Sequence, residues 1–247
     1  MTNFEGSLSI LKNGAILQYL AKGLAFTLIV SLIAVVVGLI FGSILALCRN
    51  YCKGRTRIFG WLATAYIEIF RNTPLLLWIF ICLVFIPSPF TGKHFGLSSV
   101  DVGQLFKASI ALILFTSSVI AEIVRGGLNA VAKGQFEAGY SQGFGTVQIM
   151  WYIVLPQAFR SIIPTLLSQV ITTVKDSSYL ANVATIELMS RFKQILATAN
   201  RYNGTGTVNT SDVFVLFGLA AIIYFIINFA ISCVVRRYQK RLSAAKH

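Results

Sequence analysis

The chain has 247 residues, of which 56% are apolar and only 12% charged, with a mean hydropathy of +0.75; this excludes a disordered chain and disfavours a water-soluble globule. Its 21 basic and 8 acidic residues give a net charge of +13, but Lys and Arg are confined to short gaps between long uncharged runs, unlike the solvated basic face of a nucleic-acid binder. The composition is that of an all-α integral membrane protein.

In chain order, 1–22 is expected to be an extracytoplasmic segment, lacking the basic start, short apolar core and small-residue cleavage site of a removable leader. A spanning helix needs about 20 mostly apolar residues, and 23–48 is the first stretch to qualify. Within it Val35, Gly38, Gly42 and Ala46 form a small-residue stripe suited to close helix packing. Arg49, Lys53, Arg55 and Arg57 follow, a cluster expected on the cytoplasmic side.

From Ile58 to Pro87 there are 30 residues, about 45 Å of helix against a hydrocarbon core of about 30 Å. Thr73-Pro74 removes a backbone donor and should kink or break this helix. The expected arrangement is an interfacial segment 58–70 and a span over 72–92. Glu68 and Arg71, at i and i+3, can pair on one face. They form either a self-neutralising interfacial pair or an ionisable pair facing an interior pathway.

The third span is expected over 105–125, from Lys107 to the i, i+3 pair Glu122 and Arg125. A fourth is expected over 157–178, with Arg160 near its start, Pro164 inside it and Lys175-Asp176 near its end, and a fifth over 213–235. The basic tail 236–247 then matches the cluster after span one. The predicted fold has five transmembrane helices, N-terminus outside and C-terminus cytoplasmic. Inner segments hold 12 Lys and Arg against 8 in outer segments. The outer stretch 175–211 carries four of those 8 and is expected to contain an amphipathic segment around 186–198. Cys48, Cys52, Cys82 and Cys233, with only two histidines, assemble no metal set and are expected to be reduced packing residues.

The loop 126–156 is unlike a simple connector. Gly143 should stop a helix, Thr146 can cap the next, and Pro156 precedes the fourth span. The pattern predicts two short helices across the membrane face, serving either as a docking element or as an ordinary re-entry loop. Glu137-Ala138-Gly139, three residues, Gly143, nine residues, then Ile153-x-Leu155-Pro156 resembles the EAA loop of bacterial ABC importer permeases, with Gly139 replacing the second alanine. Ala121 to Leu128, Lys133-Gly134-Gln135, Leu155 to Ala158, Glu68 to Leu76 and Lys175 to Ser178 are similar to the polar amino acid branch of that family. Ala132, where proline is usual, and Asn72, where glycine is common, depart from it.

The resemblance implies a type I importer permease for a polar amino acid in the bacterial cytoplasmic membrane. Its implied partners are a second permease, identical or paralogous, two cytoplasmic ATPases that bind ATP and Mg, an extracytoplasmic amino acid binding protein and membrane lipid. The coupling role falls on Gln135, Glu137, Ala138, Gly139 and Gly143. A zwitterionic substrate needs an anion, a cation and freed backbone at a helix break. Glu68, Arg71, Asn72, Thr73, Glu122, Asp176 and Ser177 are the candidates for the pathway, with structural roles favoured for Arg125 and Lys175. No G-x-x-x-x-G-K-[ST] phosphate loop occurs, so no ATPase site is expected in this chain and ATP hydrolysis falls to a partner. The alternative is an ATP-independent channel or secondary transporter. It would use breaks at Pro74 and Pro164 but leave the Glu137–Pro156 element without a purpose. An intramembrane enzyme lacks paired aspartates, a metal set or a Gly-x-Ser-x-Gly elbow.

Overall fold

A computed structural model describes residues 4–92, 97–183 and 185–244. The helices among them are α1 (Phe4–Lys12), α2 (Gly14–Tyr51), α3 (Arg57–Arg71), α4 (Leu75–Phe85), α5 (Ser99–Asn129), α6 (Lys133–Ser141), α7 (Thr146–Ile149), α8 (Leu155–Asp176), α9 (Leu188–Ala197) and α10 (Thr210–Ala244). A π turn, Met150–Val154, joins α7 to α8, and 3-10 turns occupy Gly54–Thr56, Ser177–Val183 and Ala199–Arg201.

Among the described residues, α2, α5 and α10 are each long and apolar enough to cross a membrane, and α3 with α4 qualifies only as a pair bent by 109°. The expected span over 72–92 is therefore not one helix: α4 has 11 residues, about 16 Å. Pro74 donates no hydrogen bond and disfavours helical geometry at Thr73, which turns the expected kink into a sharp break. The helix placed over 23–48 begins at Gly14, and α1 occupies most of what lies before it, so 1–22 is not a segment separate from the first long helix. The ends of 1–22 and 236–247, at residues 1–3 and 245–247, lie outside the described residues. Helix α8 runs through Pro164 without a break. Its 22 residues are long enough to span, about 33 Å, but it carries Gln157, Arg160, Ser161, Ser168 and Gln169 and is not among the three apolar helices.

The chain forms two compact units, Met1–Ile33 with Leu75–Leu112 and Thr173–Ala230, and Ala34–Pro74 with Ile113–Thr172 and Ile231–His247. In the first, Ile10, Ile16 and Leu20 bury against Leu188, Phe192 and Ile195 of α9 and Leu216 and Ala220 of α10. The predicted amphipathic segment is thus a helix whose apolar face is covered. Glu187 caps it, accepting from the amides of Ser190 at 2.5 Å and Met189 at 2.8 Å, with the hydroxyls of Thr27 and Tyr224 each at 3.4 Å. Asp212 closes the first turn of α10 by accepting from Ser7, Asn203 and the Asn209 amide.

In the second unit α5 is the central helix. Its residues Ile120, Ala121, Val124 and Leu128 are buried there. The small-residue stripe of α2 meets it: a Cβ on Gly42 would lie 2.6 Å from the Ser117 carbonyl oxygen and 3.0 Å from the Ala121 amide. Leu45, Ala46, Ala63, Ile67, Ile120, Val124, Ile149, Val154 and Ala158 complete the apolar core.

Two outcomes follow. Gly42→Ala must push backbone from backbone and should destabilise the protein by about 1–3 kcal/mol, whereas Gly126→Ala, helical and with nothing within 4 Å, should hold or raise the melting temperature in detergent. Burial pushes the Glu187 carboxyl up from 4.5 to about 7. Between those values the unfolded chain binds fewer protons, so stability falls as pH rises through that window. Melting temperatures measured across it should fall for the wild type and be flatter for Glu187→Gln.

Candidate functional site

Charges placed beside apolar helices must be paired, and the second unit pairs them at one carboxylate. Glu122, near the end of α5, accepts from Arg49 Nη1 at 2.7 Å and from Arg125 Nε and Nη2 at 2.9 and 2.8 Å. Arg71 Nη1 lies 3.4 Å from its Oε2. Arg49, at the end of α2, also donates to Glu68 of α3 at 2.9 Å. Glu122 is 15% exposed and Arg49 22%, whereas Arg71 is 43% and Glu68 49%, so the rigid part of the hub is Arg49–Glu122–Arg125 and Arg71 is its loose member. Two carboxylates face three guanidiniums, a charge-assisted network that ties α2, α3 and α5.

This arrangement brings together Glu68, Arg71 and Glu122 of the predicted pathway set, but not by the expected pairing. Glu68 and Arg71 do not bond each other; Glu68 turns to α2 and Arg71 to α5. The Glu122–Arg125 pair forms as expected. Asn72 and Thr73 lie at the helix break, and their side chains turn back onto α3. The Asn72 amide group donates to the Glu68 carbonyl at 2.9 Å and the Thr73 hydroxyl to the Ile69 carbonyl at 2.6 Å, so both close the end of α3. Asp176 and Ser177 belong to the first unit, where buried Ser177 donates to the Val174 carbonyl at 2.8 Å. Arg49 escaped the sequence reading because it served only as a marker of orientation. The available signal was that Glu68 and Glu122, both flanked by apolar residues, each required a cation.

The predicted coupling residues form a compact elbow. Helix α6 ends with Gly143 at φ +82, its amide bonded to the Tyr140 carbonyl and the Phe144 amide to that of Gly139 at 3.1 Å. This is a Schellman stop, and it requires a left-handed residue at Gly143. The second helix is capped by Gly145, whose amide donates to the Gln148 side chain at 2.9 Å, and not by Thr146, whose hydroxyl meets that of Tyr140. The two short helices expected here are not both separate: α7 passes through the π turn directly into α8, with Pro156 at its second position. Gln157 of α8 donates to Gln135 of α6 at 2.9 Å. Gly139 is buried, and a Cβ there would sit 2.7 Å from Ile149 Cγ1. The glycine that replaces alanine thus makes room for a core isoleucine. Glu137 and Ala138 are exposed beside a groove of ≈ 350 Å³ lined by Gln135, Gln142, Tyr152 and Gln157.

Residues 38–244, spanning hub and elbow alike, match the family model described as the binding-protein-dependent transport system inner membrane component. The chain belongs to this family of ABC importer permeases. It is 34% identical to the probable glutamine ABC transporter permease protein GlnP of Bacillus subtilis (strain 168), over 91% of this chain and 94% of the relative. It is 32% identical to the glutamate/aspartate import permease protein GltK of Escherichia coli O6:H1, over 92% and 95%. Among solved structures, an amino acid ABC transporter crystallised with histidines superposes at a TM-score of 0.76 with 26% identity, covering 95% of this chain and 97% of that one. The MetNI methionine ABC transporter shares the fold at a TM-score of 0.67.

In this permease, Glu122→Gln removes the charge that three arginines share. It should cost about 2 kcal/mol or more, below the full value for a buried pair because the hub is partly exposed. Arg71→Gln should cost under about 1 kcal/mol. Thermal unfolding in detergent checks the order, and equal losses would contradict the rigid-and-loose division of the hub.

Proposed function

We propose that this permease is the membrane-spanning subunit of an ATP-driven importer that moves a polar amino acid across the bacterial cytoplasmic membrane. The exposed Glu137-Ala138 face on a helix stopped rigidly at Gly143 carries the proposal. It is a short stiff lever whose far side is packed into the core of the second unit, suited to receive force from another polypeptide and move α8 as a body. A polar amino acid as substrate is supported by the names of the glutamine and glutamate/aspartate relatives and of the histidine-bound structure.

The proposed topology has five spans, α8 being the most polar of them, with the N-terminus outside and the C-terminus, the Arg49–Arg57 cluster and the α6–α7 elbow on the cytoplasmic side. ATP and Mg are bound and used by two partner ATPases, and this chain holds neither. A second permease, identical or paralogous, completes the pathway, and an extracytoplasmic binding protein delivers the substrate. Gln135, Glu137, Ala138, Gly139 and Gly143 transmit closure of the ATPases. Glu68, Arg71, Asn72, Thr73 and Glu122 act on the pathway from the hub side, the loosely held Arg71 and exposed Glu68 offering a cation and an anion. Asp176 and Ser177 act on it from the end of α8.

Glu137→Lys reverses charge on the exposed face, and Gly143→Asp puts a charged side chain on the left-handed stop of α6, at φ +82. Each variant should insert normally yet lose ATP-driven uptake by about tenfold or more, equivalent to about 1.4 kcal/mol of lost coupling. The check is radiolabelled uptake with immunoblotting of membranes. Undiminished uptake in Glu137→Lys would remove the elbow from the mechanism.

A further inference from the structure

We propose that the turn and helix start from Lys53 to Leu62 form a binding site for an anionic phospholipid. Lys53, Arg55 and Arg57 lie within five residues, are all exposed, and make no side-chain hydrogen bond or ion pair among the described residues. Arg49, four residues earlier, is neutralised inside the protein by Glu68 and Glu122. No acidic residue occurs between Glu5 and Glu68, so nothing nearby in sequence balances these three cations.

The cations are continuous with an apolar surface. Ile58, Phe59, Trp61 and Leu62 are 58–74% exposed, while Gly60 and Ala63 on the other side of the helix are buried. A free anion or an acidic protein surface would satisfy the cations and leave this apolar face bare. A molecule with an anionic head and apolar chains covers both, and Trp beside basic residues is the pattern of a membrane interface.

The surface is also held in place. Gly54 adopts φ +59, and the Lys53 carbonyl accepts from the Thr56 amide at 3.3 Å and its hydroxyl at 3.0 Å, which fixes the turn. Gly60 packs so close to the end of α2 that a Cβ would lie 3.1 Å from the Cys48 carbonyl oxygen. The three cations are therefore presented from a set backbone, Lys53 and Arg55 on the turn and Arg57 at the start of the helix that also carries Glu68 and Arg71.

The test is native mass spectrometry of the purified transporter containing this permease, extracted from vesicles of mixed phosphatidylcholine and phosphatidylglycerol. This readout does not depend on import, so its outcome is separate from that of the proposed function. The wild type should retain phosphatidylglycerol preferentially. Lys53→Gln/Arg55→Gln/Arg57→Gln should lose that preference, and Arg237→Gln/Lys240→Gln, far along the chain in the basic tail, should keep it. Trp61→Ala should lower total retention without changing headgroup preference. Charge-conserving Arg55→Lys/Arg57→Lys should retain lipid as the wild type does, which separates charge from a folding defect. Unchanged preference in the triple variant would overturn the proposal. So would displacement of the lipid by excess inorganic phosphate, which marks an anion site only, or loss of the ATPase subunits from the triple variant with lipid retention intact, which assigns the cations to a protein partner.

Discussion

One carboxylate near the end of α5 sets the terms for the second unit. A lone glutamate beside lipid-facing helices would be neutralised or expelled, and a lone arginine would be drawn to the nearest polar surface. Glu122 and its arginines instead hold one another, and because Arg49, Arg71 and Arg125 come from α2, α3 and α5, the requirement to pair charge becomes a requirement to pack three helices. Apolar burial alone would not fix their register, since hydrocarbon tails compete on equal terms with leucine side chains. The close approach at Gly42 and the hydroxyl of Tyr66 on the Leu114 carbonyl, at 2.8 Å, add directional contacts of the same kind.

The elbow shares that packing. Ile149, Val154 and Ala158 lie in the same buried cluster as Ala63, Ile67 and Val124. Force applied to the exposed side of α6 therefore reaches, through Gly139 against Ile149 and Gln135 against Gln157, a body that includes the helices of the hub. Arg71, the loosest partner of Glu122, is the member able to change partners at least cost. The acids of the first unit are held differently. Glu187 and Asp212 cap α9 and α10 and are satisfied by amides and hydroxyls at the positive end of each helix, with no ion pair to either among the described residues.

Much of this was legible in the sequence. The low charge, the long apolar runs and the confinement of basic residues are direct consequences of a hydrocarbon solvent. Glycine at 143 and the spacing to Pro156 marked the elbow because only glycine stops a helix that way at little cost. The Gly38–Gly42 stripe marked a close approach for the same steric reason. What stayed hidden depends on partners distant along the chain. Spacing at i, i+3 suggested Glu68–Arg71, but Arg49, far from Glu122 in sequence, competes for both acids and redirects the pairing. Asn72 and Thr73 were marked by the proline break, but the sequence did not show that their side chains turn back to the Glu68 and Ile69 carbonyls at the end of α3. Pro164 suggested a second break, but α8 absorbs it. Glu187 was one more acid in a polar stretch until α2 and α10 closed over it.

The most direct test of the account is the composition of the assembly. The tagged permease should be drawn from native membranes in mild detergent and its companions identified by mass spectrometry. The account predicts a co-purifying ATPase, with a second permease or a second copy of this chain, and a complex whose uptake requires ATP. Recovery of the chain alone in good yield, carrying solute without ATP, would contradict it.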